Sequence, residues 1–128
     1  MLKSLKDVTT QRIQELGIVP KRSLGQNFLV SEAVVTKIIS AVDLRPGPIV
    51  EIGPGLGALT DRLRALQRDY LAIELDQKFA EYWRNQGVPV LEQDALQVQW
   101  GLLFPAGGVL VSNLPYQISS RLVVELSF

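Results

Sequence analysis

The 128-residue chain contains no cysteine and no histidine. Without cysteine there is no thiol nucleophile, disulfide or cysteine zinc site, and without histidine there is no Ser-His-Asp arrangement. Any chemistry falls to carboxylates, amides, hydroxyls or a bound cofactor. Net charge is absent too, with 13 Lys and Arg against 13 Asp and Glu, so no global field points to nucleic acid. No apolar run reaches membrane-spanning length, and Met1 to Asp7 lacks the apolar core of a signal peptide. The sequence reads as soluble and cytoplasmic, with neither a membrane nor a metal as partner.

What is present is an apolar content of 47%, enough to build the core of one domain. The charge is unevenly placed. Residues 1–30 carry Lys3, Lys6, Arg12, Lys21 and Arg22 against Asp7 and Glu15, a net +3 that leaves −3 for the rest. Such an arm either contacts phosphate or is solvated surface charge.

Leu5, Val8, Ile13 and Leu16 share a helical face and Gly17 supplies a stop, which predicts a helix over 4–16. Pro20 to Val30 reads as loop. Ser31 is placed to cap a second helix reaching about Val42, with Val34, Val35, Ile38 and Ile39 inward, before Arg45-Pro46-Gly47-Pro48 breaks it. Strands and helices then alternate: Ile49 to Ile52, a helix from Ala58 to about Arg68, and a strand from Tyr70 to Leu75. A helix Gln77 to Gln86 capped by Asp76 follows, then a strand Val88 to Leu91 with Pro89 tolerable at an edge, and a strand Val109 to Ser112. This order predicts right-handed βαβ units on a parallel sheet. Ser119 onward reads as an apolar helix without a C-cap signal, pointing to a truncated product, with the Val109 to Ser112 strand left at an open edge that invites self-association.

Three features gather at predicted strand ends. Glu51-Ile52-Gly53-Pro54-Gly55-Leu56-Gly57 joins the first strand to a helix, where glycines allow either a tight turn or the close approach of a ligand. Glu74 ends the second strand, 21 residues after Gly53, where nucleoside-binding α/β folds place an acceptor for ribose hydroxyls. Asp94 follows the third strand and can accept from an adenine amino group. Each acid is otherwise an exposed strand end, but ligands of open α/β sheets bind at this edge. The spacing Gly53-x-Gly55-x-Gly57 differs from the Gly-x-Gly-x-x-Gly of dinucleotide folds, which disfavours a nicotinamide oxidoreductase.

After the fourth strand stands Asn113-Leu114-Pro115-Tyr116. An Asn side-chain oxygen beside a backbone carbonyl offers two acceptors for one NH₂, and Tyr116 offers a flat face to an aromatic ring. The bland counterpart is a strand-ending turn with a core tyrosine.

Taken in order, Gly25-Gln26-Asn27-Phe28-Leu29, Glu51 to Thr60, Glu74-Leu75-Asp76, Gln93-Asp94-Ala95 and Asn113 to Ser119 resemble the motifs of the rRNA adenine N6-dimethyltransferases. Ser31 departs from the Asp common in the family at that position, and both residues cap helices.

The resemblance implies a Rossmann-like S-adenosylmethionine-dependent methyltransferase fold, truncated after about four parallel strands. Residues 1–30 form a basic arm with a short helix and the Gln-Asn-Phe-Leu loop, residues 31–128 a partial catalytic domain, and the family's C-terminal helical RNA-binding domain is absent. It further implies that Gln26, Asn27 and Leu29 lie at the methionine end of the cofactor and that Gly53 and Gly55 pass beneath it. Glu74 takes the ribose, and Asp94 with Ala95 the adenine. Asn113, Leu114 and Tyr116 are the implied catalytic group, with Asn113 also beside the cofactor. The implied activity is dimethylation of two adjacent adenosines near the 3′ end of small-subunit (16S) rRNA, with the pre-30S particle as partner, weak or absent in this portion alone. Two alternatives are a large-subunit adenine methyltransferase of the erythromycin-resistance type, against which Leu114 leans, and a noncatalytic ribosome assembly factor.

Overall fold

In the computed structural model the described residues are 4–17, 32–114 and 121–125. Helix α1 (Leu5–Leu16) starts where Ser4 Oγ accepts from Asp7 N, and stops where Gly17 takes a left-handed φ of 63°. Its Leu16 is buried, while Val8 and Ile13 are half-buried. Helix α2 (Glu32–Asp43) turns Val35, Ile38 and Val42 into the core, with Val34 and Ile39 packed at its margin. The expected loop 20–30 and the Ser31 cap lie outside the described residues.

Strand β1 (Ile49–Ile52) has the predicted bounds. Helix α3 (Thr60–Arg64) is much shorter than the expected Ala58 to Arg68. The glycine loop extends through Leu59, and at the other end Gln67 adopts φ 58°, which no helix accommodates. Arg68 is drawn away from a helical path as its guanidinium donates to the Val42 and Gly47 carbonyls. Strand β2 (Tyr70–Ile73) leads to Asp76, whose Oδ1 accepts from Lys78 N and Phe79 N to cap helix α4 (Gln77–Asn85). Strand β3 (Val90–Leu91), a 3₁₀ turn Ala95–Gln97 and the short helix α5 (Trp100–Leu103) precede strand β4 (Val109–Leu114).

The sheet order is β3-β2-β1-β4, all parallel, extended by strand β5 (Arg121–Glu125), which runs antiparallel to β4. Two expectations are corrected here. Residues 121–125 form a strand and not a helix, and the β4 edge, expected to be open and to promote self-association, is covered by β5. The physical reason is shared: the unpaired N–H and C=O groups of β4 find partners in a segment rich in β-branched valines, Leu122-Val123-Val124. The third strand is shorter than the expected Val88 to Leu91: Pro89 stands just before β3, which is a sheet edge.

Successive β1 residues bury opposite faces, as parallel strands covered on both sides do. Ile49 joins Val109, Val111, Leu59 and Leu63 beneath α2 and α3. Val50 joins Ile73 and Val98 under Trp100 and Phe104 on the other face. Trp83 of α4 is buried with Ala72 and Val88. Among the described residues no helix is long and apolar enough to cross a membrane.

Candidate functional site

The register of the sheet sets the site. Ile52 pairs with Ile73 of β2 and with Ser112 of β4, so the residues that follow, Gly53, Glu74 and Asn113, emerge together at the carboxyl edge of three adjacent strands. Ile73 pairs in turn with Leu91, which puts Asp94 just beyond the same edge of β3. The expected gathering of the glycine loop and the strand-end acids is present.

The loop is a chain of left-handed glycines, with φ 68° at Gly53, 52° at Gly55 and 83° at Gly57. These values, open to glycine at no steric cost, bend the backbone back over the end of β2. There Glu74, 8% exposed, receives the Gly55 N–H on Oε1 at 3.3 Å and the Asp76 N–H on Oε2 at 3.1 Å. Burial raises the Glu74 carboxyl above the usual range, and these backbone bonds pull it partly back. The acid expected to serve the ribose is therefore also the floor of the glycine loop. Each oxygen keeps a lone pair for a further donor.

Asp94 Oδ1 accepts from Leu96 N at 2.9 Å, capping the turn that Ala95 begins. Both residues are half-buried, and Ala95 packs against the Val50 and Ile73 cluster. Strand β4 continues through Asn113 and Leu114, two residues past its predicted end, with their backbones paired to Leu122 and Arg121. The Asn113 and Leu114 side chains lie outside what is described, as do Gln26, Asn27, Leu29 and Tyr116.

Glu51, one residue before Ile52, is also buried. Its Oε1 accepts hydroxyl bonds from Tyr70 at 2.6 Å and Thr60 at 2.7 Å, tying β1 to β2 and to the start of α3 on either side of the loop. Desolvation pushes this carboxyl up to about 7. Among the described residues no group of three or more His, Cys, Asp or Glu comes together as a metal site.

The residues suit S-adenosylmethionine on two observations. Among the described residues, a Cβ placed on Gly53 meets nothing within 4 Å, which leaves room beside the loop for a ligand. The Ser112 hydroxyl, at the strand end between the loop and Asn113, is buried without a hydrogen-bond partner among the described residues, an unspent polar group at the same edge. The Glu74 carboxylate at this edge also matches a ligand rich in hydrogen-bond donors.

Several contributors were invisible to pattern reading. Trp83 lies on the inward face of α4, a position periodicity marks only as core. Arg12, read as one of the basic arm's surface charges, has a side chain only 13% exposed and faces the loop's rear. Tyr70 and Thr60 carried no signal beyond strand and helix start.

Comparison with known proteins agrees with this geometry. A family model described as ribosomal RNA adenine dimethylase matches residues 19–128. The chain is 52% identical over 120 residues to a ribosomal RNA small subunit methyltransferase A of Bdellovibrio bacteriovorus, covering 91% of this chain and 44% of that protein. It is 37% identical over 119 residues to a probable ribosomal RNA small subunit methyltransferase A of Pyrococcus abyssi, covering 89% and 43%. The chain thus spans less than half the length of these curated relatives. Among solved structures, a 23S rRNA methyltransferase, ErmE, superposes with a TM-score of 0.50 at 24% identity over 69% of this chain and 48% of that one, a likeness of fold.

Proposed function

The chain belongs to the ribosomal RNA adenine dimethylase family, and from that premise we propose that it binds S-adenosylmethionine along the carboxyl edge of β1, β2 and β3 and presents Asn113 to an adenine N6 amine. The observation that carries this reading is the register that delivers Gly53, Glu74 and Asn113 to one edge. Glu74 takes the ribose hydroxyls, Asp94 and Ala95 the adenine, and Gly53 and Gly55 lie beneath the ligand, with Gln26, Asn27 and Leu29 at its methionine end.

When bound, S-adenosylmethionine supplies an electrophilic methyl group on sulfur. The chain's part is to make a poor nucleophile adequate. An exocyclic adenine amine shares its lone pair with the ring. The Asn113 side-chain oxygen and the Leu114 carbonyl accept its two hydrogens and stabilise positive charge as it develops on nitrogen. No strong base is needed, which suits a chain without histidine. Tyr116 stacks on the target base once it has left the RNA stack.

The names of the relatives direct the proposal to small-subunit rRNA and away from the large subunit. Isothermal calorimetry tests the cofactor assignment directly. S-adenosylhomocysteine binds at one equivalent and NAD does not; NAD binding in its place returns the loop to a dinucleotide site. Methylation of isolated small and large subunits by a full-length relative carrying this chain's site residues separates the two RNA targets.

A further inference from the structure

The rear of the glycine loop is held as closely as its front is open. Three consecutive carbonyls, those of Gly55, Leu56 and Gly57, point away from the ligand edge and each accepts from a side chain of a distant element. Trp83 Nε1 of α4 donates to Gly55 O at 2.8 Å. Arg12 of α1 donates through Nη1 to Leu56 O at 2.9 Å and to Gly57 O at 3.4 Å. The same guanidinium pairs through Nη2 with Asp61 Oδ2 at 2.7 Å and lies over the Trp83 ring, 4.8 Å from its centroid.

Gly57 shows why the third glycine is there. A Cβ at this position lies 2.4 Å from Trp83 ring carbons and 2.5 Å from Arg12 Nη1, whereas a Cβ at Gly53 meets nothing among the described residues. The first glycine leaves room for a ligand in front. The third leaves room for Arg12 and Trp83 behind.

We propose that Arg12 and Trp83 are positioning residues that clamp the loop from behind, fixing its peptide planes so that the opposite side is preorganised for the cofactor. The proposal rests on the reading that the loop receives S-adenosylmethionine. A peptide whose carbonyl is anchored to the rear cannot flip without breaking that bond, so its plane keeps one orientation toward the ligand. Arginine suits the task because one planar fork reaches two carbonyls and a carboxylate while stacking on an indole; a lysine ammonium supplies the charge without the fork. Tyr82 OH adds a second tie from α4 to α1, donating to Glu15 Oε2 at 3.1 Å. Helix α1 ends at Leu16 and leads into the segment that carries Gln26, Asn27 and Leu29. The clamp therefore also anchors the element from which the methionine end of the site departs.

The test uses the whole chain, Arg12→Lys and Trp83→Phe, with two readouts. Amide hydrogen exchange without ligand follows Gly55 and Gly57 against the core amides of Val50 and Ile73. Calorimetry follows S-adenosylhomocysteine. In Arg12→Lys the core amides keep their protection, the loop amides exchange faster, and affinity falls about tenfold, the scale of one lost charge-assisted bond. Trp83→Phe, which keeps a ring and deletes the indole donor, loosens the same amides and decides the matter if Arg12→Lys does not fold. Unchanged loop exchange and affinity in a folded variant overturn the clamp. Faster loop exchange in a chain whose wild type ignores S-adenosylhomocysteine upholds the clamp and removes the cofactor reading instead.

Discussion

The Tyr70 hydroxyl donates to Glu51 Oε1 at 2.6 Å in a place closed to water, with the Thr60 hydroxyl on the same oxygen at 2.7 Å. Desolvation outweighs these two bonds and, with the charges of Asp61 and Glu74, lifts the Glu51 carboxyl from 4.5 to about 7. The folded chain therefore holds this proton more tightly than the unfolded chain does. The resulting stabilisation is present in full below about pH 4.5 and is lost as pH rises through 7. Glu51→Gln keeps an acceptor for both hydroxyls and removes the charge. Urea unfolding at a series of pH values should show Glu51→Gln gaining on the wild type between pH 5 and 8, by on the order of 3 kcal/mol. A difference that stays flat across that range contradicts a desolvated carboxylate.

Gly53 and Gly57 should respond oppositely to alanine. Gly53→Ala carries the strain of a positive φ, about 1 kcal/mol, without a steric clash among the described residues, and its methyl group enters the space in front of the loop. The chain stays folded and S-adenosylhomocysteine binding is lost. Gly57→Ala adds overlap with Trp83 to the strain and costs at least about 2 kcal/mol of stability. Thermal unfolding and calorimetry on both variants check the contrast, which equal stability losses would refute.

Asp76→Ala removes the acceptor for Lys78 N and Phe79 N at the start of α4 and should cost about 1 kcal/mol in urea unfolding. Asp76→Asn, which keeps a capping oxygen, should recover most of it. If Asn fares no better than Ala, the cap is not the source.

Methyl incorporation into undermethylated small subunits measures the reaction itself. The chain, spanning 44% of the Bdellovibrio bacteriovorus relative, should transfer methyl groups far more slowly than that full-length protein. Its residual rate should fall a further ten- to thousandfold in Asn113→Ala, the scale of losing one charge-stabilising group. Turnover matching the relative would show that these 128 residues suffice for the reaction, and an unaltered rate in Asn113→Ala would favour an assembly factor.

Where a feature depends on neighbours in the chain, the sequence alone was enough to determine it. The bounds of β1, the Asp76 cap, the Gly17 stop and the glycine loop all rest on local dihedral preference and on side-chain oxygens two or three residues from the N–H they receive. That β1 to β4 run parallel followed from alternation of strand and helix. Tertiary structure decided the rest, because the deciding partners are remote. The open edge of β4 turned residues 121–125 into a strand against their helical pattern, and Arg68, bound to carbonyls 21 and 26 residues away, helped cut α3 short. Arg12 looked like surface charge until the fold brought Leu56, Asp61 and Trp83 around it. The Glu51 carboxyl rose to about 7 only when the folded core took its water away.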